Sequence, residues 1–368
     1  MISELADPQI ARCFVAASPG LEPDVWDELD ALGLEPETVE GGADVAVPWS
    51  ELAHVTASLR CAARVYVRVA RADVRDGQEL RRLLASLPWA LWPLPQAVTV
   101  RWAVRKATSA RAGWLAHETE RILALRPAGE HAPLTLLMRV TGPEVEVSVD
   151  AAGRPMHQRG WRTEQGDAPL RETVAAAMLH AVGYDGTQAL WDPMCGSGTL
   201  AIEAATWRQL AHSRSWDVDA WTLPPRFVPY EAPQFARGPI VAGDLDPEVL
   251  GVAQRNAERA GVATAIDFRH TEVASQLRDG FRPSCVVVNP PWGKRLGGRN
   301  EARRLLQRLS AVLLRDAAGA RVAVLSPEPQ ALRELPIADG KSRQVDCGGA
   351  SLYLISGTIA ARAPGRTR

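Results

Sequence analysis

Residues 192–199 have the sequence Asp-Pro-Met-Cys-Gly-Ser-Gly-Thr, and they lie between a short apolar run at 189–191 and a run of helical composition at 200–205. A strand, a tight glycine turn and a helix in this order bring backbone N–H groups close to a ligand. The stretch lacks the lysine of a Walker loop and the third glycine of the GxGxxG pattern. It therefore predicts a ligand-binding turn in which Asp192 binds a cationic amino group, with an ordinary tight turn as the alternative.

The chain around this turn alternates between strand and helix patterns. Apolar, β-rich runs occur at residues 189–191, 240–242, 285–288, 322–325 and 352–355, and helical patterns occupy 249–260 and 301–314. Such alternation predicts an α/β fold with a mainly parallel, doubly wound sheet. In such sheets ligands bind at the carboxyl ends of the strands.

A second motif, Gly243-Asp244-Leu245-Asp246-Pro247, follows the run at 240–242. An acidic side chain at this place can accept hydrogen bonds from both hydroxyls of a ribose. Helix capping is the simpler role. We expect one of the two aspartates to serve only as a cap.

A third motif, Asn289-Pro290-Pro291-Trp292, follows the run at 285–288. Two prolines end strand pairing and fix the shape of the chain. The Asn289 side-chain oxygen and the Pro290 carbonyl can then accept both N–H bonds of an amino group, and Trp292 can stack on an unstacked base. The alternative is a plain turn with a core tryptophan, and we favour the functional interpretation.

The N-terminal part of the chain has a different organisation. Residues 1–59 predict a small α+β domain, and residues 60–152 predict an antiparallel sheet with helices on one face. Residues 153–183 predict a connector and a helix, and the α/β domain is expected at 184–362. The 60–152 block lacks an obvious nucleophile, metal cluster or phosphate loop, so binding is expected of it rather than catalysis.

Charge is unevenly distributed over the 368 residues, although the formal net charge is only −1. Residues 60–139 contain 14 basic and 6 acidic side chains, and residues 282–368 contain 15 and 6. Residues 1–59 contain 1 basic and 12 acidic side chains. The net charge argues against nucleic-acid binding, but the two basic blocks favour it.

Cysteine usage and hydropathy indicate the cellular compartment. The five cysteines form no CxxC pair, and no apolar run in the sequence is long enough to cross a bilayer. We therefore expect neither a disulfide framework nor a metal site, and neither a signal peptide nor a membrane span. The expected location is the cytoplasm.

The three motifs together resemble those of class I S-adenosylmethionine-dependent amino-methyltransferases. Three longer strings make the resemblance narrower: Met-His-Gln-Arg-Gly-Trp-Arg at 156–162, Ala-Pro-Leu-Arg-Glu-Thr at 168–173 and Gly-Lys-Arg-Leu-Gly at 293–297. They resemble the THUMP-containing RNA guanine-N2 methyltransferases, the branch acting on large-subunit (23S) ribosomal RNA more than the transfer-RNA branch. The resemblance implies a Rossmann-like methyltransferase domain after ferredoxin-like and THUMP-like domains. It also implies S-adenosylmethionine as cofactor and RNA as partner, without an obligate protein partner.

The resemblance also assigns residues to two sites. The cofactor would be bound by Asp192, Met194, Gly196, Ser197, Gly198, Thr199, Asp244, Leu245, Glu272 and Pro169. The target guanine amine would be bound by Asn289, Pro290, Pro291 and Trp292. Three positions depart from the family pattern, which usually has an aromatic residue at 194, a tyrosine at 292 and an aspartate at 272.

The expected chemistry needs no acid–base pair, because the methyl donor is already activated and positioning is the main requirement. His270 is then a structural or surface residue. We expect a basic cluster after the third motif to bind phosphates, with a solvated helix face as the alternative: Lys294, Arg295, Arg299, Arg303, Arg304 and Arg308.

Other functions stay open. They are a transfer-RNA guanine-N2 methyltransferase, an adenine-N6 or protein-glutamine methyltransferase, and a non-catalytic RNA-binding protein with a methyltransferase fold. A nicotinamide dehydrogenase is disfavoured because the third glycine is missing.

Overall fold

The computed structural model describes residues 9–92, 97–124, 134–164, 170–207, 218, 221, 237–277, 279–291 and 299–361, with backbone alone at 299–303 and 332. The chain forms two compact units. Most of the chain up to Met156, with residues 218 and 221, belongs to one unit. Residues 18–24 and most of the chain from His157 onward belong to the other.

The first unit is built on a sheet of seven strands. They are β1 (Ile10–Ala17), β2 (Glu37–Val39), β3 (Gly42–Pro48), β4 (Ala62–Asp73), β5 (Val98–Arg105), β6 (Leu134–Thr141) and β7 (Glu144–Asp150), in the spatial order β2-β3-β1-β4-β7-β6-β5. The helices of this part of the chain are α1 (Glu22–Ala31), α2 (Leu52–Ser58), α3 (Gly77–Ala85) and α4 (Ser109–Leu123). β1 pairs with β4, so strands from both sides of the predicted boundary at residue 59 share one sheet. The predicted domain limits themselves stay a prediction.

The antiparallel sheet predicted for residues 60–152 is wrong in one pairing. β5 and β6 run parallel, with Val98 opposite Leu134 and Val104 opposite Val140. The reason is helix α4, which lies between them and returns the chain to the end at which β5 began. β6 and β7 form an antiparallel hairpin, as expected for this sheet.

The second unit contains the predicted α/β domain. Its strands are β8 (Leu190–Asp192), β9 (Ile240–Asp244), β10 (Ile266–His270), β11 (Cys285–Val288), β12 (Arg321–Ser326), β13 (Ile337–Asp346) and β14 (Ser351–Ile359). Its helices are α5 (Glu172–Ala181), α6 (Thr199–Ala205), α7 (Pro247–Arg259), α8 (Arg299–Asp316) and α9 (Ala331–Glu334). The strand order is β10-β9-β8-β11-β12-β14-β13, with antiparallel pairing at β14 and β13 and parallel pairing among the others. The mainly parallel sheet is thus confirmed, with β10 and β13 as strands that the sequence did not predict.

The direction of winding changes at β8. From β8 the chain proceeds to β9 and β10 on one side, and β11 and β12 lie on the other side. Such a change of direction opens a crevice at the carboxyl ends of the central strands, where ligands of doubly wound sheets bind.

The core under this crevice is apolar. Trp191, Val286 and Val288 are fully buried in the sheet, and Leu309 and Leu313 of α8 belong to the same cluster. The two leucines are four residues apart and therefore share one face of the helix. Among the helices of the described residues, none combines the length and the hydropathy that crossing a bilayer demands.

Candidate functional site

Two acidic side chains lie at the ends of neighbouring strands. β8 ends at Asp192 and β9 ends at Asp244, and the two strands pair with Asp192 opposite Ala242. Asp244 Oδ2 accepts a hydrogen bond from the Gly196 N–H (2.9 Å), and Oδ1 accepts one from the Asp246 N–H (3.0 Å). The end of β9 is therefore bonded directly to the glycine turn (residues 193–199).

Asp192 is fully buried, and neither of its carboxylate oxygens has a hydrogen-bond partner of normal geometry among the described residues. Burial raises its pKa well above the ordinary value, and the nearby Asp244 raises it further, while the Met194 N–H acts in the opposite direction. A buried carboxylate without a partner is costly unless a cation approaches it. The site is therefore suited to a ligand with a positively charged group.

The glycine turn depends on left-handed backbone at two positions, Gly196 (φ 54°) and Gly198 (φ 86°). A Cβ at Gly196 would meet nothing within 4 Å, whereas one at Gly198 would lie 3.0 Å from the Ala253 Cβ of α7. The Cys195 N–H donates to the Gly243 carbonyl (2.9 Å). Gly196 thus leaves open space beside the turn, and Gly198 allows close packing of α7.

Other predicted cofactor residues lie around these strand ends. Asp246 caps α7 by accepting the N–H groups of Glu248 (2.9 Å) and Val249 (3.3 Å), so it is the helix-capping aspartate of the second motif. Leu245 is 64% exposed next to Asp244. Met194 is half-buried and packs against the core.

His270 is the last residue of β10, and Glu272 follows shortly after it. Glu272 is exposed and precedes a short 3-10 helix, and nothing in its surroundings tests its predicted contact with the cofactor. His270 is exposed, and its Nε2 lies 3.0 Å from the Leu245 carbonyl. Pro169 lies outside the described residues.

The third motif begins directly after β11, which pairs with β8 on the side opposite β9. Asn289 is half-buried, and its side chain makes no hydrogen bond to another described residue. Pro290 is buried and Pro291 is half-buried. Trp292, Lys294 and Arg295 lie outside the described residues, and so do the side chains of Arg299 and Arg303.

A buried glutamine that the sequence analysis did not identify joins three strand ends. Gln276 Oε1 accepts from Trp191 Nε1 (2.8 Å), and its Nε2 donates to the carbonyls of Pro193 (3.0 Å) and Thr271 (3.2 Å). A Cβ at Gly243 would lie 2.2 Å from the Gln276 amide carbon. No local pattern marks this residue, because its partners Trp191 and Pro193 are distant in sequence.

The sheet order and the residues at its strand ends define a class I S-adenosylmethionine-dependent methyltransferase domain. Residues 159–347, about half of the chain, match the model of the family described as "RMKL-like, methyltransferase domain", and the chain belongs to that family. Residues 12–66 match the model described as "RlmL ferredoxin-like domain". The resemblance stated from the motifs is thereby confirmed at the level of the family.

Curated relatives are similar over long stretches. The Ribosomal RNA large subunit methyltransferase K/L of Vibrio parahaemolyticus is 34% identical over 63% of this chain and 35% of its own length. The protein of the same name from Photobacterium profundum is 30% identical over 92% of this chain and 51% of its own length. The chain thus spans about half or less of these relatives. Among solved structures, SMU.472 complexed with SAH shares the fold, with a TM-score of 0.81, 20% identity and coverage of 97% of this chain and 100% of that one.

Proposed function

We propose that the chain transfers a methyl group from S-adenosylmethionine to the exocyclic N2 amine of a guanine in structured RNA, with 23S ribosomal RNA as the substrate. The observation that supports this best is Asn289, an amide without a partner among the described residues, at the end of β11. β11 is paired with the strand that ends in the buried Asp192. The names of the curated relatives support ribosomal RNA as the substrate.

Two acidic residues would bind the cofactor, which supplies a methyl group already activated on a cationic sulfonium. Asp192 offers a buried carboxylate to a cationic group, and the attraction between the two charges offsets the desolvation penalty of the carboxylate. Each carboxylate oxygen of Asp244 accepts one backbone bond and retains further acceptor capacity. Asp244 can therefore still accept the hydroxyls of a ribose, and Gly196 leaves room beside it.

The Asn-Pro-Pro segment would select the amine. The N2 amino group has two N–H bonds, and the Asn289 oxygen and the Pro290 carbonyl are two acceptors held at a fixed spacing by proline. When both N–H bonds are accepted, the nitrogen lone pair would be directed at the methyl carbon, and positioning would lower the barrier. The carbon–sulfur bond would break to leave S-adenosylhomocysteine, and the methylated amine would release one proton to water. Guanine N7 has no hydrogen to donate, so this pair of acceptors favours N2 over N7.

RNA binding is supported by exposed cations in the first unit. Within the described residues of the 60–139 block, Arg81, Arg82, Arg101 and Lys106 are exposed and no carboxylate lies within ion-pair distance of them. Cations of this kind bind the phosphate backbone without regard to sequence. The first unit would therefore bind RNA, and the second would modify it.

The experiment is methylation of unmodified 23S ribosomal RNA and, in parallel, of unmodified transfer RNA with labelled S-adenosylmethionine, followed by digestion to nucleosides. We expect label in N2-methylguanosine from ribosomal RNA. The Asn289→Ala variant should lose most of this product while binding S-adenosylhomocysteine like the native chain. Label in 7-methylguanosine, N6-methyladenosine or protein alone would refute the proposed target.

A further inference from the structure

A buried cluster of charged side chains lies behind the glycine turn. Arg159 is 1% exposed and pairs with Glu203 of α6 through two contacts, Nε to Oε1 (3.2 Å) and Nη2 to Oε2 (3.3 Å). The Arg162 side chain is 9% exposed, and its Nε lies 3.1 Å from Oε1 of the buried Glu172. Two arginines and two glutamates balance in charge, which is what a purely structural cluster requires.

One arginine in this cluster also makes hydrogen bonds that charge balance does not require. Arg162 Nη2 donates to the carbonyl of Leu170 (2.7 Å) and to the hydroxyl of Thr199 (2.7 Å). Thr199 is buried, and it is both the last residue of the glycine turn and the first residue of α6. Neither Glu172 nor Glu203 needs the threonine hydroxyl for its own pairing.

The contact also determines what the hydroxyl can do. A hydroxyl has one proton to donate and two lone pairs. Among the described residues, Thr199 Oγ1 accepts the bond from Arg162 and donates none. A donor to the oxygen polarises the O–H bond and strengthens the hydrogen bond that its proton can make.

The same segment of chain is linked to the turn at a second point through a residue of α7. Asn256 of α7 donates through Nδ2 to the carbonyl of Glu164 (3.3 Å) and to the carbonyl of Ser197 (3.2 Å). The Glu164 carboxylate pairs with Arg255 (2.6 Å) and with Arg259 of the same helix. Residues 159–164 therefore contact Thr199 directly through Arg162 and are linked to Ser197 through Asn256.

We propose that Arg162 is a positioning residue of the cofactor site: it fixes the Thr199 hydroxyl as an acceptor, so that the hydroxyl proton is donated to the carboxylate of the cofactor's amino-acid end. This inference rests on the proposed methyltransferase function and adds a residue to the cofactor site. Arg162 itself acts only through Thr199.

The test compares two ligands that differ in the amino-acid end, which contains that carboxylate and an ammonium group. S-adenosylhomocysteine has the amino-acid end, whereas 5′-methylthioadenosine has the same adenosine and sulfur without it. Calorimetric titration of the whole chain is expected to show that Arg162→Lys weakens S-adenosylhomocysteine about tenfold to a hundredfold, the range of one charge-assisted bond. The affinity for methylthioadenosine should change by no more than about twofold, because this ligand has no carboxylate and cannot form the bond that is lost.

Arg162→Lys keeps the positive charge beside Glu172, but an ammonium group lacks the fork that reaches two acceptors at once. A second pair of variants does not depend on this arginine: Thr199→Val should show the same selective loss, and Thr199→Ser should restore binding. Arg121→Gln, an exposed arginine of α4 that pairs with Glu118, is the matched control.

A merely structural role for Arg162 predicts equal weakening of both ligands, and this result would overturn the inference. Unchanged binding of S-adenosylhomocysteine in Arg162→Lys or Thr199→Val would overturn it as well. Failure of the native chain to bind either ligand would instead refute the proposed methyltransferase function.

Discussion

At the scale of single residues, Asp192 determines how cofactor binding depends on pH. Its raised pKa means that a proton must leave the carboxyl group when a cation binds at low pH. Affinity for S-adenosylmethionine should therefore rise with pH through that pKa, by up to about tenfold per pH unit below it. Asp192→Asn should bind more weakly and lose this contribution, as titration calorimetry at a series of pH values would show. Parallel curves of affinity against pH for the two proteins would contradict the assignment.

The Glu172 carboxyl group makes the folded chain less stable as the pH rises, whereas Asp192 makes cofactor binding stronger. Burial raises its pKa to about 7, and Glu203 acts in the same direction, while Arg162 and Arg159 lower it. The unfolded chain therefore releases this proton first, and the Glu172 contribution to the free energy of unfolding falls as pH rises from about 4.5 to about 7. The full effect is at most about 3 kcal/mol.

The Glu172→Gln variant lacks this titration. Its melting temperature relative to that of the native chain should increase between about pH 5 and pH 8, since glutamine has no proton to lose. Thermal melts of both proteins in matched buffers measure the difference. A constant difference across this range would show that Glu172 titrates normally.

At the scale of the elements, Gln276 and Gly243 together define the ends of β8, β9 and β10. Gly243→Ala would place a methyl group against a buried amide that makes three hydrogen bonds, and we expect a loss of about 1–3 kcal/mol. Gln276→Ala would leave the Trp191 N–H and two carbonyls without their partner, at a similar cost.

The two substitutions should not add. Once the glutamine is shortened, the added methyl group no longer overlaps with it, so the double variant should be less destabilised than the sum of the single ones. Urea unfolding of the four proteins measures this coupling. If the losses in free energy of unfolding add strictly, the added methyl group does not press on the Gln276 side chain, and this explanation is wrong.

The sequence predicted most of these elements, and its omissions have physical causes. The strands at 240–242 and 285–288 are uniformly apolar, as expected for parallel strands covered on both faces. β13 is mostly half-buried or exposed, so its residues show no apolar alternation. The parallel pairing of β5 and β6 depends on where α4 returns the chain, which no pattern within either strand reveals.

The candidate site follows the same rule. The glycine turn and the Asn-Pro-Pro segment are local in sequence, so their residue types were enough to predict them as site residues. Gln276 bonds to Trp191, 85 positions away, and Arg162 bonds to Thr199, 37 positions away. Contacts of this kind become visible only when the strand ends are placed side by side.

At the scale of the whole molecule, the net charge of each sequence segment overstates the number of cations that are available to RNA. Arg68 pairs with Asp44 (2.6 Å), and Arg105 pairs with Glu40, so acidic side chains of the N-terminal segment neutralise part of the next block. Arg64 is buried with Asp150. The acidic N-terminal segment thus has an internal electrostatic role that the sequence did not reveal.

The cations that have no ion-pair partner among the described residues give a direct prediction. Arg81 and Arg82 are exposed on α3, and replacing both with glutamate should weaken RNA binding and reduce the salt dependence by about two phosphate contacts. Filter binding across a range of salt concentrations measures both quantities. Affinity for S-adenosylhomocysteine should not change, and Arg71→Gln, which removes an arginine paired with Glu144, should have a smaller effect on RNA. If the dependence of RNA affinity on salt concentration is unchanged in the double variant, RNA does not bind at these two arginines.

The pairing of β4 also affects how the chain folds during synthesis. β4 lies between β1, which precedes it, and β7, where Arg68 faces Ser148. Until the ribosome has released residues up to Asp150, one edge of β4 has no strand beside it, and contacts between such distant residues form slowly. A nascent chain paused before this point would expose an unpaired strand edge, which is the surface that chaperones protect from aggregation.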